Sequence, residues 1–315
     1  MFAAEATGPI KTKLHPRLST SAKWIWSTYL VLTIACILSY YVAGMGLFDS
    51  FNYAMTTTAT GGFSTHNTST EFFHSPSLEY ICTFFCFLSG VNFTLLYAAV
   101  IKFKIKELFR NSEFRFYIFL VTIFSIFIMV ELMVMRNYDI EHAFRSAIFQ
   151  VVSFITTTGL FNDDAALWPH VTWVVLSMCM FIGACSGSTS GGLKCIRGVI
   201  LLRMVKNEFR QILHPNAVLP LKIDGVNVPM QKRVTLLAFL TIYLIICVII
   251  SFTMIAMGID NTNSITITLS CIGNVGPTLG TEIGPTMSWS ELPDLAKWFC
   301  LLYTSPSPRD MRRSR

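Results

Sequence analysis

The segment ITTTGLF (155–161) places a glycine directly after a run of threonines, and this pattern decides how the rest of the chain is interpreted. Two further segments resemble it, each a Gly-containing turn with Thr or Asn: TATGGF (58–63) and GNVGPT (273–278). Each follows a half-apolar stretch that is too short to cross a bilayer, because a crossing helix takes about 20 mostly apolar residues. Three such turns in matching places predict an internal repeat with a period of roughly 100 residues.

The short stretches before the turns are predicted to be helices that stop inside the membrane. They run over Phe48–Thr60, Ile140–Thr157 and Asn261–Ile272. Irregular backbone survives at membrane depth only where it is buried in protein or lines a water-filled cavity. Glycine lets the carbonyls there turn toward an axis, and a ring of carbonyls can replace the hydration shell of K⁺. The three turns therefore predict an ion-binding site made of backbone.

Long apolar segments flank the short helices, and each is predicted to cross a membrane. Their approximate limits are Trp24–Met45, Tyr80–Ile101, Phe116–Met135, Trp168–Met204 and Val234–Met257, and a sixth segment begins near Leu295. Hydrophobic residues make up 53% of the chain and charged residues only 13%, whereas soluble domains carry about 25% charge. We expect an all-α integral membrane protein built from repeated units of helix, pore loop and helix.

Charged residues divide the predicted loops into two classes. Acidic residues follow the glycine turns, whereas basic residues collect between the repeats. The basic set comprises Lys102, Lys104, Lys106, Arg110, Arg115, Lys194, Arg197, Arg203, Lys206 and Arg210. Because cytoplasmic loops of membrane proteins are rich in Lys and Arg, the glycine turns should face outside. The same rule explains the net charge of +6 without a nucleic-acid partner.

The run GACSGSTSGG (183–192) lies inside the fourth apolar segment, which is far too long for one simple span. Its members are Gly183, Ala184, Cys185, Ser186, Gly187, Ser188, Thr189, Ser190, Gly191 and Gly192. One interpretation is tight helix packing through small residues. The other is a break in the helix that acts as a gate. Lys194 and Arg197, which follow the run, fit ordinary anchors on the cytoplasmic side.

At these motifs the chain resembles the bacterial Trk/Ktr potassium-uptake proteins, in particular their TrkH-like membrane subunit. The segments that carry the resemblance are TATGGFSTHN (58–67), ITTTGLF (155–161), GACSGSTSGGLKCIR (183–197) and GNVGPTLG (273–280), with HPNAV (214–218) and AEATGP (4–9) in support. The resemblance implies four repeats around one central ion path, as in potassium channels, and a gate at residues 183–192 beneath the filter.

The resemblance also places the family's K⁺ filter, the only metal site expected. It falls on Ala59, Thr60, Gly61, Thr157, Thr158, Gly159, Asn274, Val275 and Gly276. The register of the first turn is open by one residue, since Gly61 and Gly62 are adjacent. Laying TATGGF over TTTGLF favours Gly61, because it aligns Gly61 with Gly159 and Phe63 with Phe161.

The implied partners are membrane lipid, a second copy in a homodimer and a TrkA-type nucleotide-binding subunit, in the bacterial cytoplasmic membrane. K⁺ is the transported ion, and no cofactor is expected. Alternatives within transport are a sodium-coupled Ktr-type subunit and the potassium-binding subunit of an ATP-driven pump. An intramembrane enzyme would need an acid–base or nucleophile set at depth, which the sequence lacks. A membrane scaffold would leave the repeated pore loops without a purpose.

The predicted organisation is a cytoplasmic segment (1–23), a second-type repeat (24–104), a third-type repeat with a broken second helix (105–210), a cytoplasmic linker (211–232), a shortened fourth-type repeat (233–302) and a non-native tail (303–315). We expect the family's first repeat and the rest of its last helix to be missing. A filter with one quadrant open should not conduct selectively, because selectivity depends on the number of coordinating dipoles.

Overall fold

Twelve α-helices, two short 3-10 helices (Ser69–Phe73 and Ala165–Leu167) and one two-stranded hairpin account for the regular structure in the described part of the chain. The computed structural model describes residues 18–100, 103–214, 216, 219–280, 284, 289 and 292–303. The helices are α1 (Leu18–Val42), α2 (Leu47–Thr58), α3 (Pro76–Ser89), α4 (Phe93–Val100), α5 (Ile105–Arg110), α6 (Ser112–Arg136), α7 (Ile140–Ile155), α8 (His170–Ile182), α9 (Cys195–Leu213), α10 (Met230–Ala256), α11 (Asn261–Gly273) and α12 (Asp294–Tyr303). Between α9 and α10, β1 (Lys222–Ile223) pairs antiparallel with β2 (Val226–Asn227).

Three helices, α1, α6 and α10, are long and apolar enough to cross a membrane. They confirm the first, third and fifth predicted spans. Much of their apolar surface is exposed: Val248 and Phe252 of α10 are 68% and 72% accessible. Exposed apolar surface on helices of this length is typical of segments that contact lipid. The chain is therefore a multi-pass membrane protein.

The second predicted span, Tyr80–Ile101, is wrong as one continuous helix. α3 and α4 meet at an angle of 107°. Two residues at the junction, Gly90 and Asn92, have identifiable roles there. A Cβ on Gly90 would lie 2.6 Å from the Tyr117 hydroxyl, so the backbone passes too close for a side chain. Asn92 then starts the new helix, because its Oδ1 accepts from the Thr94 N–H at 2.8 Å.

The short helices match their predictions to within two residues, and the structure packs them in a repeated way. In each repeat the long first helix lies against its own short helix, in the pairs α1 and α2, α6 and α7, and α10 and α11. The second helix of a repeat then packs on the short helix of the next, as α3 does on α7 and α8 on α11. The three short helices are thereby set around a common region.

Asparagines begin and end the central helix α6. The Asn111 side chain accepts from the Glu113 and Phe114 N–H groups at its start, and Asn137 leaves the helix in the left-handed conformation at φ 54°. The hairpin β1–β2 was not predicted within linker 211–232. Its Leu221, Ile223 and Val228 pack on the first turns of α9. The predicted tail beyond Tyr303 and most of segment 1–23 lie outside the described residues.

Candidate functional site

Each short helix ends in a four-residue turn of the same conformation. We call residues 59–62 turn 1, residues 156–159 turn 2 and residues 273–276 turn 3. In all three the second position has a positive φ, and so does the glycine at the fourth. These residues are Thr60, Thr157 and Asn274 at the second position and Gly62, Gly159 and Gly276 at the fourth. Only glycine adopts such angles freely, so the fourth position explains the glycine of the motif.

Hydrogen bonds give the same correspondence. In each turn the third N–H donates to the carbonyl oxygen five residues earlier. The pairs are Gly61 to Thr56 at 2.8 Å, Thr158 to Ser153 at 2.9 Å and Val275 to Ser270 at 3.0 Å. This bond tightens the end of the helix and directs the chain away from the helical path.

By backbone conformation, turn 1 corresponds to turns 2 and 3 one residue later than the alignment of the sequence letters places it. Gly62, and not Gly61, corresponds to Gly159 and Gly276. An alignment of letters cannot choose between Gly61 and Gly62, because both are glycine. The backbone needs a glycine only where φ is positive, which is at Gly62. By structure the triplet that matches turns 2 and 3 is Thr60, Gly61 and Gly62, and Ala59 stands one position before it.

The turns lie edge to edge in sequence order. A Cβ built on Gly62 would overlap the carbonyl oxygen of Thr158, and one built on Gly159 would overlap that of Val275. The same contact therefore occurs twice. In each case the glycine at the fourth position of one turn lies against the carbonyl oxygen at the third position of the next turn. Gly276 has the corresponding edge free of any described residue within 4 Å. Gly62 and Gly159 are therefore required by close approach as well as by φ, and Gly276 by φ alone.

Buried hydroxyl groups brace the turns from behind. Thr58 and Thr57 pair with Thr33 and Tyr40 of α1, each at 3.0 Å. In the second repeat the Ser153 hydroxyl donates to the Leu160 carbonyl at 2.5 Å. In the third, the Ser270 hydroxyl accepts from the Gly276 N–H at 3.0 Å. Because buried polar groups cost free energy when unpaired, these bonds favour one conformation for each turn.

Residues 183–194 form an irregular loop between α8 and α9, so the prediction of a helix break at the small-residue run is confirmed. The loop touches the helix-end side of all three turns. The Gly191 N–H donates to Thr157 Oγ1 at 2.6 Å, and the Thr189 hydroxyl donates to the Thr58 carbonyl at 3.1 Å. A Cβ on Gly191 would overlap the carbonyl oxygen of Gly273 in turn 3.

Sequence reasoning missed the residues that hold this loop at its other side. The Cys185 N–H donates to the Gly90 carbonyl at 3.0 Å, and Asn92 Nδ2 donates to the Ser186 carbonyl at 2.6 Å. The Phe93 N–H donates to the carbonyl of Gly187 at 3.1 Å. The available signal was a Gly and an Asn in the middle of a predicted span, two residue types that are unfavourable inside a continuous helix.

The basic residues after the loop do not both behave as membrane-surface anchors. The Lys194 ammonium turns back to donate to the Ser190 carbonyl. The Arg197 guanidinium lies 4.0 Å from the centre of the Phe239 ring, a cation–π distance. Lys194 thus places a positive charge on the loop itself.

Asp163 and Asp164, two acidic residues that follow turn 2, have partly structural roles. Asp163 Oδ2 accepts from the Tyr138 hydroxyl and the Trp168 ring N–H, both at 3.2 Å. Burial, and after it the charge of Asp163, raises the pKa of Tyr138. Asp164 accepts from the Ala166 N–H at 3.0 Å. Among the described residues no group of three His, Cys, Asp or Glu side chains could hold a metal ion.

Comparison with known proteins agrees with this architecture. Residues 4–302 match the TrkH family, described as cation transport protein. The chain is 33% identical over 303 residues to the Trk system potassium uptake protein TrkH of Halomonas elongata, and 35% identical over 303 residues to TrkG of Escherichia coli. These alignments cover 96% of this chain and 62% and 61% of the relatives.

The crystal structure of the potassium transporter TrkH from Vibrio parahaemolyticus superposes with a TM-score of 0.84 at 33% identity. It covers 92% of this chain and 62% of that one. The chain thus spans about 62% of the length of the relatives it matches. A family match over nearly the whole chain, together with this structural agreement, shows that the chain belongs to the TrkH family of cation transport proteins.

Proposed function

We propose that this chain forms part of a K⁺ pathway across the bacterial cytoplasmic membrane, with the glycine turns supplying carbonyls to a selectivity filter. The observation that carries the proposal is the edge-to-edge packing of three like turns, each at the end of a short helix. Carbonyl dipoles held around an axis can replace the hydration shell of a cation. The names of the relatives as potassium uptake proteins favour K⁺ as that cation.

In this proposal the filter is formed by the last three positions of each turn. They are Thr60, Gly61 and Gly62, then Thr157, Thr158 and Gly159, and finally Asn274, Val275 and Gly276. The loop 183–192 acts as the gate beneath the filter. Its support is direct contact with the helix-end side of the turns through Thr189 and Gly191.

The remaining parts of the proposal follow the family. The chain lies in lipid, pairs with a second copy and works with a TrkA-type nucleotide-binding subunit on its basic side. K⁺ is cargo, so no cofactor is needed. The support for the lipid environment is the exposed apolar surface of α1, α6 and α10.

The first test measures thermal unfolding of the purified chain in detergent with different chloride salts. K⁺ and Rb⁺ should raise the midpoint and Li⁺ should not, because a ligand stabilises the state that binds it. The Gly159→Ala variant should lose the difference between the salts. Equal midpoints in K⁺ and Li⁺ for the native chain would count against a K⁺ site.

The second test measures transport. Residues 4–302 replace the matching part of Halomonas elongata TrkH, and the chimera is reconstituted in liposomes. We expect Rb⁺ uptake that K⁺ competes and Li⁺ does not. Uptake without discrimination between these ions, in a chimera that folds, would contradict the proposed filter.

A further inference from the structure

Glu113, the second residue of α6, is a buried carboxylate to which the proposed pathway gives no role. It is 4% exposed. The Ser186 N–H donates to its Oε1 at 2.5 Å, and the Ser186 hydroxyl donates to Oε2 at 3.1 Å. The Ile196 N–H donates to Oε1 at 3.1 Å. These three donors satisfy both oxygens of a buried carboxyl group, and burial raises the cost of losing the hydrogen bonds.

The three donors come from the two ends of one segment. Ser186 lies near the start of loop 183–192, and Ile196 lies in the first turn of α9, just after the loop. A carboxylate is favoured at a helix N-terminus by the free N–H groups there. One side chain of α6 therefore closes the loop from both ends, and the segment between them carries Thr189 and Gly191 against the glycine turns.

Ser112, the residue before Glu113, is hydrogen-bonded to the hairpin. Asp224, in the turn between β1 and β2, accepts from the Ser112 N–H at 3.0 Å and from Asn111 Nδ2 at 3.1 Å. Arg203 of α9 donates to Ser112 Oγ at 3.0 Å and also to the Lys222 carbonyl in β1. The hairpin is thus hydrogen-bonded both to the start of α6 and to α9.

We propose that Glu113 is the positioning residue that holds loop 183–192 against the glycine turns, and that the hairpin sets this hold through Asp224. The proposal rests on the proposed function for the loop's role as a gate. A displacement of the hairpin would shift Ser112 in α6 and Arg203 in α9 through these hydrogen bonds. The same two helices carry Glu113 and one of its donors, Ile196. A partner that binds the hairpin then acts on the gate without touching it.

The test uses two native thiols as local probes. Cys185 lies in the loop and Cys36 in α1, and both are fully buried. The purified chain in detergent is treated with N-ethylmaleimide, and labelling is followed at each cysteine by peptide mass spectrometry. A buried thiol reacts only when its surroundings open, so the rate at Cys185 reports opening of the loop.

Glu113→Ala should raise the Cys185 labelling rate about tenfold or more, because the three hydrogen bonds that close the loop are lost and their buried donors are left unpaired. The rate at Cys36 should stay within about twofold, the scatter of surface effects on local stability. Glu113→Gln should largely restore the native rate, because its amide oxygen still accepts from the two N–H groups. Equal acceleration at Cys36 and Cys185 would mean general loosening and would overturn the positioning role, as would an unchanged Cys185.

The hairpin connection is tested by Asp224→Ala, with Asp260→Ala as the matched control. Asp260 also accepts a backbone N–H at a helix start, that of Thr262 at 3.0 Å, but at α11. Asp224→Ala should speed Cys185 labelling by a smaller factor than Glu113→Ala, and Asp260→Ala should leave it unchanged. If Asp224→Ala has no effect while Glu113→Ala does, the hairpin is not connected to the gate.

These outcomes are independent of transport. Labelling measures how the loop is held whether or not ions pass. If the chain shows no K⁺ discrimination but has the expected Cys185 labelling rates, the filter proposal is refuted. The proposal that Glu113 holds the loop then stands. The reverse result would keep the filter and remove the Glu113 inference.

Discussion

The glycine turns and the loop 183–192 are both irregular, glycine-containing backbone, yet they are built in opposite ways. Each turn is closed by a hydrogen bond to its own helix five residues back. The loop is held by groups far away in sequence, such as Gly90 and Thr157. A locally closed turn keeps its shape when its neighbours shift, whereas a loop held by remote groups moves with them. The contrast fits a fixed filter beside a movable gate.

The largest loss of stability is expected from a substitution that disrupts the contact between two turns. Gly159→Ala places a methyl group on the carbonyl of Val275 and also forces a side chain to a positive φ. We expect a loss of about 3 kcal/mol or more in the free energy of unfolding. Gly276→Ala is the matched control, since it carries only the strain of positive φ, about 1–2 kcal/mol. Denaturant unfolding in mixed micelles measures both, and equal losses would refute the edge-to-edge contact.

The next change sharpens the comparison from the loop side. Gly191→Ala has no strain from φ, but its methyl group meets the carbonyl of Gly273, so the loop must retreat from turn 3. We expect a cost of about 1–3 kcal/mol. Rb⁺ uptake by the chimera should rise, since the gate is displaced and the turns are intact. Reduced uptake with retained folding would show that the loop supports the filter rather than blocks it.

A smaller effect should come from the single bond that joins the two regions. Thr157→Val leaves the Gly191 N–H without its acceptor, at a cost of about 1–3 kcal/mol. Hydrogen exchange at the Gly191 amide should speed up while that at Thr158, which is bonded within its own turn, stays slow. Thr33→Val, which removes a partner of Thr58 behind turn 1, is the control and should leave Gly191 unchanged.

The smallest effect is expected for bonds inside the loop. The Ser188 hydroxyl contacts the Cys185 carbonyl at 2.6 Å and Ser190 Oγ at 2.8 Å. Ser188→Ala should cost no more than about 1 kcal/mol, since neutral hydrogen bonds in a half-buried loop contribute little. Labelling at Cys185 should change far less than in Gly191→Ala. A large acceleration would show that the loop holds itself, and the contrast with the turns would fail.

The same contrast explains what the sequence could predict. The short helices, the three long spans and the glycine turns depend on local pattern, and all of them were predicted to within a few residues. The break at 183–192 was also visible, because ten small residues in a row cannot form a comfortable lipid-facing helix.

Other features depended on distant contacts and were not predictable in this way. Gly90 must lack a side chain because of the Tyr117 hydroxyl, which lies 27 positions further along the chain in another helix. Whether Gly61 or Gly62 takes the positive φ depends on where α2 ends and on the nearby Thr158 carbonyl. The role of Glu113 was not predicted, because nothing near it in sequence indicates a partner at Ser186.

The contact from Gly62 to the Thr158 carbonyl recurs from Gly159 to the Val275 carbonyl. In terms of symmetry, this is one head-to-tail interface used twice within a single polypeptide. A heterologous interface of this kind adds identical units in one rotational direction, and it forms a ring when the rotation closes. Gene duplication therefore extends such an array without a new surface, because each added unit inherits both halves of the interface.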